Sequence, residues 1–426
     1  MNNKFHQASY FLRKNIKNFK SSDNVNNFNN FKNEKNIQII ASSSDVGQAK
    51  IVHQILKDNK NFFNEKTAII LNNKNLLIPV IYAMPTEIKD INVSISYPLK
   101  STPVYSFVNY LIELQKNISD KNEYSFYYKD ILNILKHQFL KNNNYENALE
   151  IEKFIKKSKK FYFKENELQL NGLLKKIFKK NIAINEISKY ILNILEEIFS
   201  ELSAENIDNH IEKYENAGLL EKEFIYNTYL AIKSLQTILN KEIEKKKDKE
   251  IMEISTFLSL LKKIISSKNI DFEGEPLLGL QIMGLSETRV IDFENVILLS
   301  CNENILPKTS IGTSVIPYNL RRAFGLFTIE NQDALFSYNF YRLLQRSKNI
   351  FLLYNNSVSE NNSGEMSRFL FQIMYETDFK ISKKVLSYDI NFIENKEIKI
   401  KKNKKIIDDL IKINEKKPIS ATSINT

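Results

Sequence analysis

The sequence predicts an α/β protein: a parallel sheet built from two stretches of chain and interrupted by a large helical insertion. Three observations predict it. Between residues 36 and 103, short apolar runs alternate with segments of helical periodicity. Over residues 104–276, apolar residues recur at i, i+3, i+4 and i+7. From residue 277 to 376 the strand pattern returns. Strand–helix–strand units at this spacing form parallel sheets, and two such halves flanking a helical block are expected to close into one sheet.

Residues 1–35 are rich in Asn and Lys and read as a connector, helical in its first part, without chemistry of its own. Ile37–Ala41 is a short apolar strand. Ser44 and Asp45 can cap the helix VGQAKIVHQILKD that follows. Thr67–Leu71 is a second buried strand, Leu76–Met84 a helix with Pro79 and Pro85 at its margins, and Ile91–Tyr97 an alternating third strand. The helical block contains segments such as VYSFVNYLIELQ, DILNILKHQFL and ISKYILNILEEIFSEL, with Gly172 and Gly218 as interruptions; its KEIEKKKDKE run (241–250) reads as a solvated helix end. Leu280–Met283 and Val296–Cys301 are strands, Gln332–Ser347 an amphipathic helix and Ile350–Tyr354 a strand. Residues 377–426 form a linker with a strand-like stretch, Lys383–Phe392, a basic run and a polar helix.

The chain has 426 residues, enough for two to three domains. Its 61 Lys and Arg against 50 Asp and Glu give a net charge of +11, which suits a polyanionic partner such as DNA and equally a well-solvated lysine surface. The lone cysteine, Cys301, excludes a disulfide framework and a cysteine-built metal cage within the chain. Apolar runs all fall well short of the ~20 residues that span a bilayer, and the N-terminus lacks an apolar signal core. A cytoplasmic location is expected.

Two stretches concentrate charge beside strands: Leu280–Glu303 and Phe340–Asn356. In the second, Arg342, Arg346 and Lys348 sit where a helix feeds into a strand. A guanidinium there can grip a phosphate bidentately, or it can compensate the helix dipole. In the first, Glu287, Thr288, Arg289 and Asp292 lie between two buried strands and could touch a nucleotide or simply close a turn. The four histidines at 6, 53, 137 and 210 are scattered and suggest no zinc site. Asp389, Glu394 and Lys396 mimic a nuclease string, but no convergent carboxylate site surrounds them. KKSKKFYFK (156–164) interleaves lysines and aromatics, as a base-stacking strip or as a helix end with core aromatics.

The two stretches resemble motifs V and VI of superfamily-1 helicases of the UvrD/RecB type. Motif V reads roughly L-M-T-V-H-A-A-K-G-L-E-F; here Q-I-M-G-L-S-E-T-R-V-I-D-F aligns on Met283 and Phe293. Arg289 falls on the family lysine and Asp292 on its glutamate, while Gly284, Ser286 and Val290 replace threonine, histidine and glycine. Motif VI, roughly Y-V-A-I-T-R-A-K, matches Tyr341–Lys348, so the resemblance places Arg346 on the arginine that reaches the ATP γ-phosphate. The segment from Ala68 is similar to motif IV, with Asn72 in place of its arginine. Tyr97–Leu114 carries the P-L-x-x-T-P pattern of AddB-type subunits of bacterial helicase–nucleases, and 419–426 resembles the start of their nuclease domain.

The resemblance implies a RecA-like lobe of P-loop NTPase type at 36–103 and 277–376, with a 2B-like helical insertion at 104–276. It implies a role in DNA-end processing for recombinational break repair, with DNA and a partner helicase–nuclease subunit as partners and no membrane. Arg346, Arg289, Asp292 and Glu287 become nucleotide-facing candidates, and Ser286, Thr288, Lys348 and Arg342 DNA-binding candidates. The chain has no G-x-x-x-x-G-K-[ST] loop and no Gly-Lys pair. The expectation is therefore a fragment that is a degenerate, DNA-guiding lobe with neither cofactor nor metal of its own. ATP and Mg²⁺ would enter only with a second lobe carrying the phosphate loop. Mg²⁺ and an iron–sulfur cluster would belong to a PD-(D/E)xK nuclease domain beyond residue 426. The alternatives are the second lobe of an active helicase, and a scaffold that contacts protein only.

Overall fold

The computed structural model describes residues 7–19, 30–88, 90–119, 124–140, 145–158, 160–180, 184–208, 215–245, 253–272, 278–308, 315–358, 363–386 and 403–416. Residues 1–386 form one compact unit and 387–426 a second, in which the helix Lys404–Lys416 is described. The nuclease-like string at 389–396, most of the basic run and residues 419–426 lie outside the described residues.

A seven-stranded, wholly parallel sheet organises the first unit. Its strands are β1 (Asn36–Ser42), β2 (Thr67–Leu71), β3 (Ile91–Val93), β4 (Leu280–Met283), β5 (Asn295–Leu299), β6 (Asn349–Asn355) and β7 (Ile381–Val385). In space they run β7-β1-β6-β5-β2-β4-β3. The two stretches of chain that the sequence separates by the helical block therefore interleave in one sheet. Strands β2, β4 and β5 are buried along their whole length, which explains why they read as unbroken apolar runs rather than alternating ones.

The direction of each crossover decides which face its helix covers. From β1 the chain passes beyond β6 and β5 to reach β2 through α1 (Asp45–Asp58). Ala49, Val52 and Leu56 of α1 pack with Ile40, Ile69 and Ile297 on one face. Later crossovers run the opposite way: β5 to β6 through α2 (Ile329–Leu344), then β6 to β7 through α3 (Arg368–Glu376). Phe340, Leu344, Phe369 and Ile373 pack with Ile39, Ile70, Leu298 and Leu352 on the other face. Right-handed crossovers that travel in opposite directions lie on opposite faces, and these three connections sandwich the sheet, while the helical β3-to-β4 connection joins the cluster of α1 although it too runs toward β1.

Between β3 and β4 the described chain is almost entirely helical, from Pro103 to Ser267. Its longest members are Ile184–Asp208 and Glu215–Lys245. Their apolar side chains do not form a separate core. Leu111, Phe126, Phe178, Leu195, Ile232 and Leu261 belong to one buried cluster with Ile282 and Leu299 of the sheet. The ends of this helical stretch are tied by an antiparallel pair, Tyr97–Pro98 with Asn269–Ile270.

That pair corrects the expected third strand. The sheet strand ends at Val93, and Tyr97 belongs to the small ladder instead, because Pro98 cannot donate to the parallel sheet. A second short ladder, Phe126–Tyr127 with Phe163–Tyr162, interrupts what reads as continuous helix. Within the lysine–aromatic string, Phe163 is buried while Phe161 and Tyr162 are exposed. Val296–Cys301 also shortens: Ser300 takes φ +56, which ends β5 at Leu299.

Candidate functional site

In an open parallel sheet, ligands bind beyond the carboxyl ends of strands where neighbouring strands send their chains to opposite faces. Here β1 exits to one face and its neighbour β6 to the other. The crevice above them holds a polar network. Asn302 donates to the Asn355 carbonyl at 2.6 Å and accepts from the Asn355 amide at 2.9 Å. Asn355 in turn donates to Asp45 at the start of α1 at 2.9 Å. Gln48 accepts from the Ser300 amide at 2.8 Å and donates to Asp45 at 3.2 Å. Ser44 caps α1 by accepting from the Gly47 amide at 3.0 Å, as its position in the sequence predicts. Asn302, Gln48 and Asn355 are buried, so these bonds replace the ladder where the strands end. These bonds are internal to the network and stiffen the crevice floor, although the buried Ser300 hydroxyl makes none.

The candidates between β4 and β5 divide between the two edges of the sheet. At the carboxyl end of β4, the Glu287 carboxylate accepts from the Gly284 amide at 2.8 Å, and the Glu287 amide donates to the Gly284 carbonyl at 3.1 Å. Thr288 is buried, and its hydroxyl donates to the Leu285 carbonyl at 2.8 Å. Both side chains therefore close the turn. Ser286, Arg289 and Val290 face outward, and Val290 is 88 % exposed with φ +71.

Asp292 lies at the opposite edge, where the chain enters β5. A helix-to-strand junction sits at the amino edge of the strand it feeds, so Arg342, Arg346 and Lys348 are there too. Arg342 donates to Asp292 at 2.6 Å, and Arg346 donates to the second carboxylate oxygen. Lys348 pairs with Glu294 at 3.6 Å, and Lys66 pairs with the same carboxylate at 3.5 Å. The structure thus joins Asp292, Arg342 and Arg346, and separates them from Ser286, Glu287 and Thr288. The edge they occupy is not the carboxyl edge at which open sheets hold ligands. Asn72 donates to the Leu299 carbonyl at 2.8 Å and bridges β2 to β5.

Sequence reasoning passes over Lys35, within the stretch read as a connector without chemistry. Its ammonium is buried and donates to the carbonyls of Ser347 at 2.8 Å and Gln345 at 3.1 Å, closing the C-terminal end of α2. Burial lowers its pKa from the ordinary lysine value. A lysine directly before an apolar strand was the available signal. Cys301 is also buried, which pushes its thiol up and makes it unreactive.

No known family model matches this chain, and no curated protein matches it.

Among the described residues, groups of His, Cys, Asp or Glu that could hold a metal ion do not occur. In the same residues no helix is long and apolar enough to cross a membrane.

Proposed function

We propose that the chain is a RecA-like lobe with a 2B-type helical insertion, similar to AddB-type helicase–nuclease subunits, that guides DNA and contacts a partner motor subunit. The observation that carries this reading is Val290. The helicase motif has glycine at that position, and Val290 holds φ +71, a conformation that favours glycine and strains a β-branched residue. The backbone of the loop fits the motif even though the glycine has been replaced.

A second observation supports the same register. The segment matching motif V supplies β4 and the loop after it, the one matching motif VI spans the end of α2, and their matched residues Asp292 and Arg346 meet in an ion pair. That pair, and the turn-closing roles of Glu287 and Thr288, favour the degenerate lobe over the second lobe of an active motor. Arg346 is held by a neighbour on its own lobe rather than presented alone to a phosphate. The net charge of +11 suits the DNA partner.

The experiment is fluorescence anisotropy of labelled single-stranded and duplex oligonucleotides with the purified chain. Binding that weakens as salt rises is expected, because phosphate contacts release counterions. Negligible binding even at low salt would sink the DNA-guiding role and leave a protein-contact scaffold.

A further inference from the structure

A cleft of about 430 Å³ opens in the helical stretch and is lined by Lys176, Lys179, Lys180, Lys189, Glu186 and Asn193, with Tyr190 and Ile194. It lies where the helix Gly172–Ile177 ends and the 25-residue helix Ile184–Asp208 begins. Four lysines line it against Glu186, and Glu197 pairs with Lys176, so the cleft keeps a net excess of positive charge. The fold fixes the wall from behind. Ile177 and Tyr190 are buried, and the Tyr190 hydroxyl donates to the Ile177 carbonyl at 2.6 Å, joining the two helices. Lys176 is held by Glu197 at 2.9 Å, and the backbone of Lys179 by Gln115, which donates to its carbonyl at 2.8 Å. The first turn of the long helix adds amide dipoles of the same sign as the lysines.

We propose that this cleft binds ligands bearing two or more adjacent phosphate groups. The wall chemistry is ammonium rather than guanidinium. Ammonium groups act as point charges that neutralise phosphates without reading a planar edge. The four lysines are spread over two helices and the turn between them, so they meet several phosphates better than a single small anion. One wall chemistry fits two sources, a nucleic-acid backbone or a free polyphosphate. The site is separate from both sheet edges and does not depend on the helicase-like reading.

The test uses the full chain and the variant Lys179→Gln/Lys180→Gln/Lys189→Gln. A control variant, Lys14→Gln/Lys17→Gln, alters exposed lysines of the N-terminal helix. Binding of a single-stranded oligonucleotide is followed by anisotropy, and binding of inorganic tripolyphosphate by calorimetry. Thermal melts check that each variant folds. The triple variant is expected to lose roughly ten-fold or more in affinity at low salt, and its log–log salt slope for single strands to become shallower by about 2. The control should behave as wild type. Loss of the oligonucleotide response alone assigns the cleft to a nucleic-acid backbone, and loss of the tripolyphosphate response alone assigns it to free polyphosphate. If the folded triple variant binds both ligands as wild type does, or if wild type binds neither, the proposal is overturned. Wild type that binds tripolyphosphate but not DNA defeats the DNA-guiding reading while leaving the cleft proposal standing.

Discussion

Replacing Val290 with glycine should stabilise the protein. A non-glycine residue in the left-handed region costs about 1–2 kcal/mol, and a β-branched side chain sits at the upper end. Val290 has φ +71 and is 88 % exposed, so the substitution relieves that strain while giving up little burial. Glycine returns about 0.5–1 kcal/mol through its larger unfolded-state entropy. The balance is a gain of about 1 kcal/mol, or a rise in melting temperature of roughly 1 °C for a chain of this size. Val290→Ala keeps a Cβ in the same backbone conformation and should change stability by only a few tenths of a kcal/mol. Urea melts of the three proteins measure the differences directly. If Val290→Gly is neutral or destabilising, the loop does not hold a left-handed residue there, and its fit to the helicase motif loses its main support.

Other substitutions probe the sheet edges and the core. Asn302→Ala removes both hydrogen bonds to the Asn355 backbone and should cost about 3 kcal/mol in a urea melt; a cost below about 0.5 kcal/mol would mean that water replaces it. Phe340→Ala deletes a fully buried ring stacked on Phe369 at 5.3 Å between centroids and should cost about 3–5 kcal/mol. Lys35→Ala leaves the Gln345 and Ser347 carbonyls, just past α2, without their ammonium and should cost about 2 kcal/mol, with Lys35→Met recovering part of the loss through its aliphatic stem. Tyr124 is pushed up to about 12, first by the hydrogen bond it donates to Glu165. The folded state keeps that proton longer than the unfolded state, so this contribution to stability is complete below pH 10 and fades as pH rises toward 12. A spectrophotometric tyrosine titration of wild type and Glu165→Gln should resolve it, and identical titration curves would show that Glu165 has no hold on the phenol.

The sheet was legible where strands are buried on both faces. Thr67–Leu71 and Leu280–Met283 stand in the structure with the limits read from their apolar runs. Helix α1 was legible from Ser44, whose capping position the structure bears out. The strand order was not legible, because interleaving β1 and β2 with β5 and β6 depends on pairing between residues more than 200 positions apart, such as Asn36 with Asn349 and Thr67 with Asn295. The short ladders were hidden because each has two residues per strand, too few to show a period. The candidate residues were visible as charges but not as partners. Asp292 and Arg346 lie 54 residues apart, and only the crossing of α2 over β5 brings them together. Glu287 and Thr288 turn back on their own loop for a local reason, since a short chain leaving β4 must satisfy the Gly284 amide and the Leu285 carbonyl. The lysines of the cleft carry no motif or period that sets them apart in the sequence, and only the Tyr190 bond and the helix junction give them walls.

The DNA-guiding role is tested most directly by the affinity of the intact chain for a single-stranded oligonucleotide measured across a salt series. A lobe that tracks a strand through at least four phosphates gives a log–log slope of about −3 or steeper. A flat salt dependence, or no binding at the lowest salt, would contradict it.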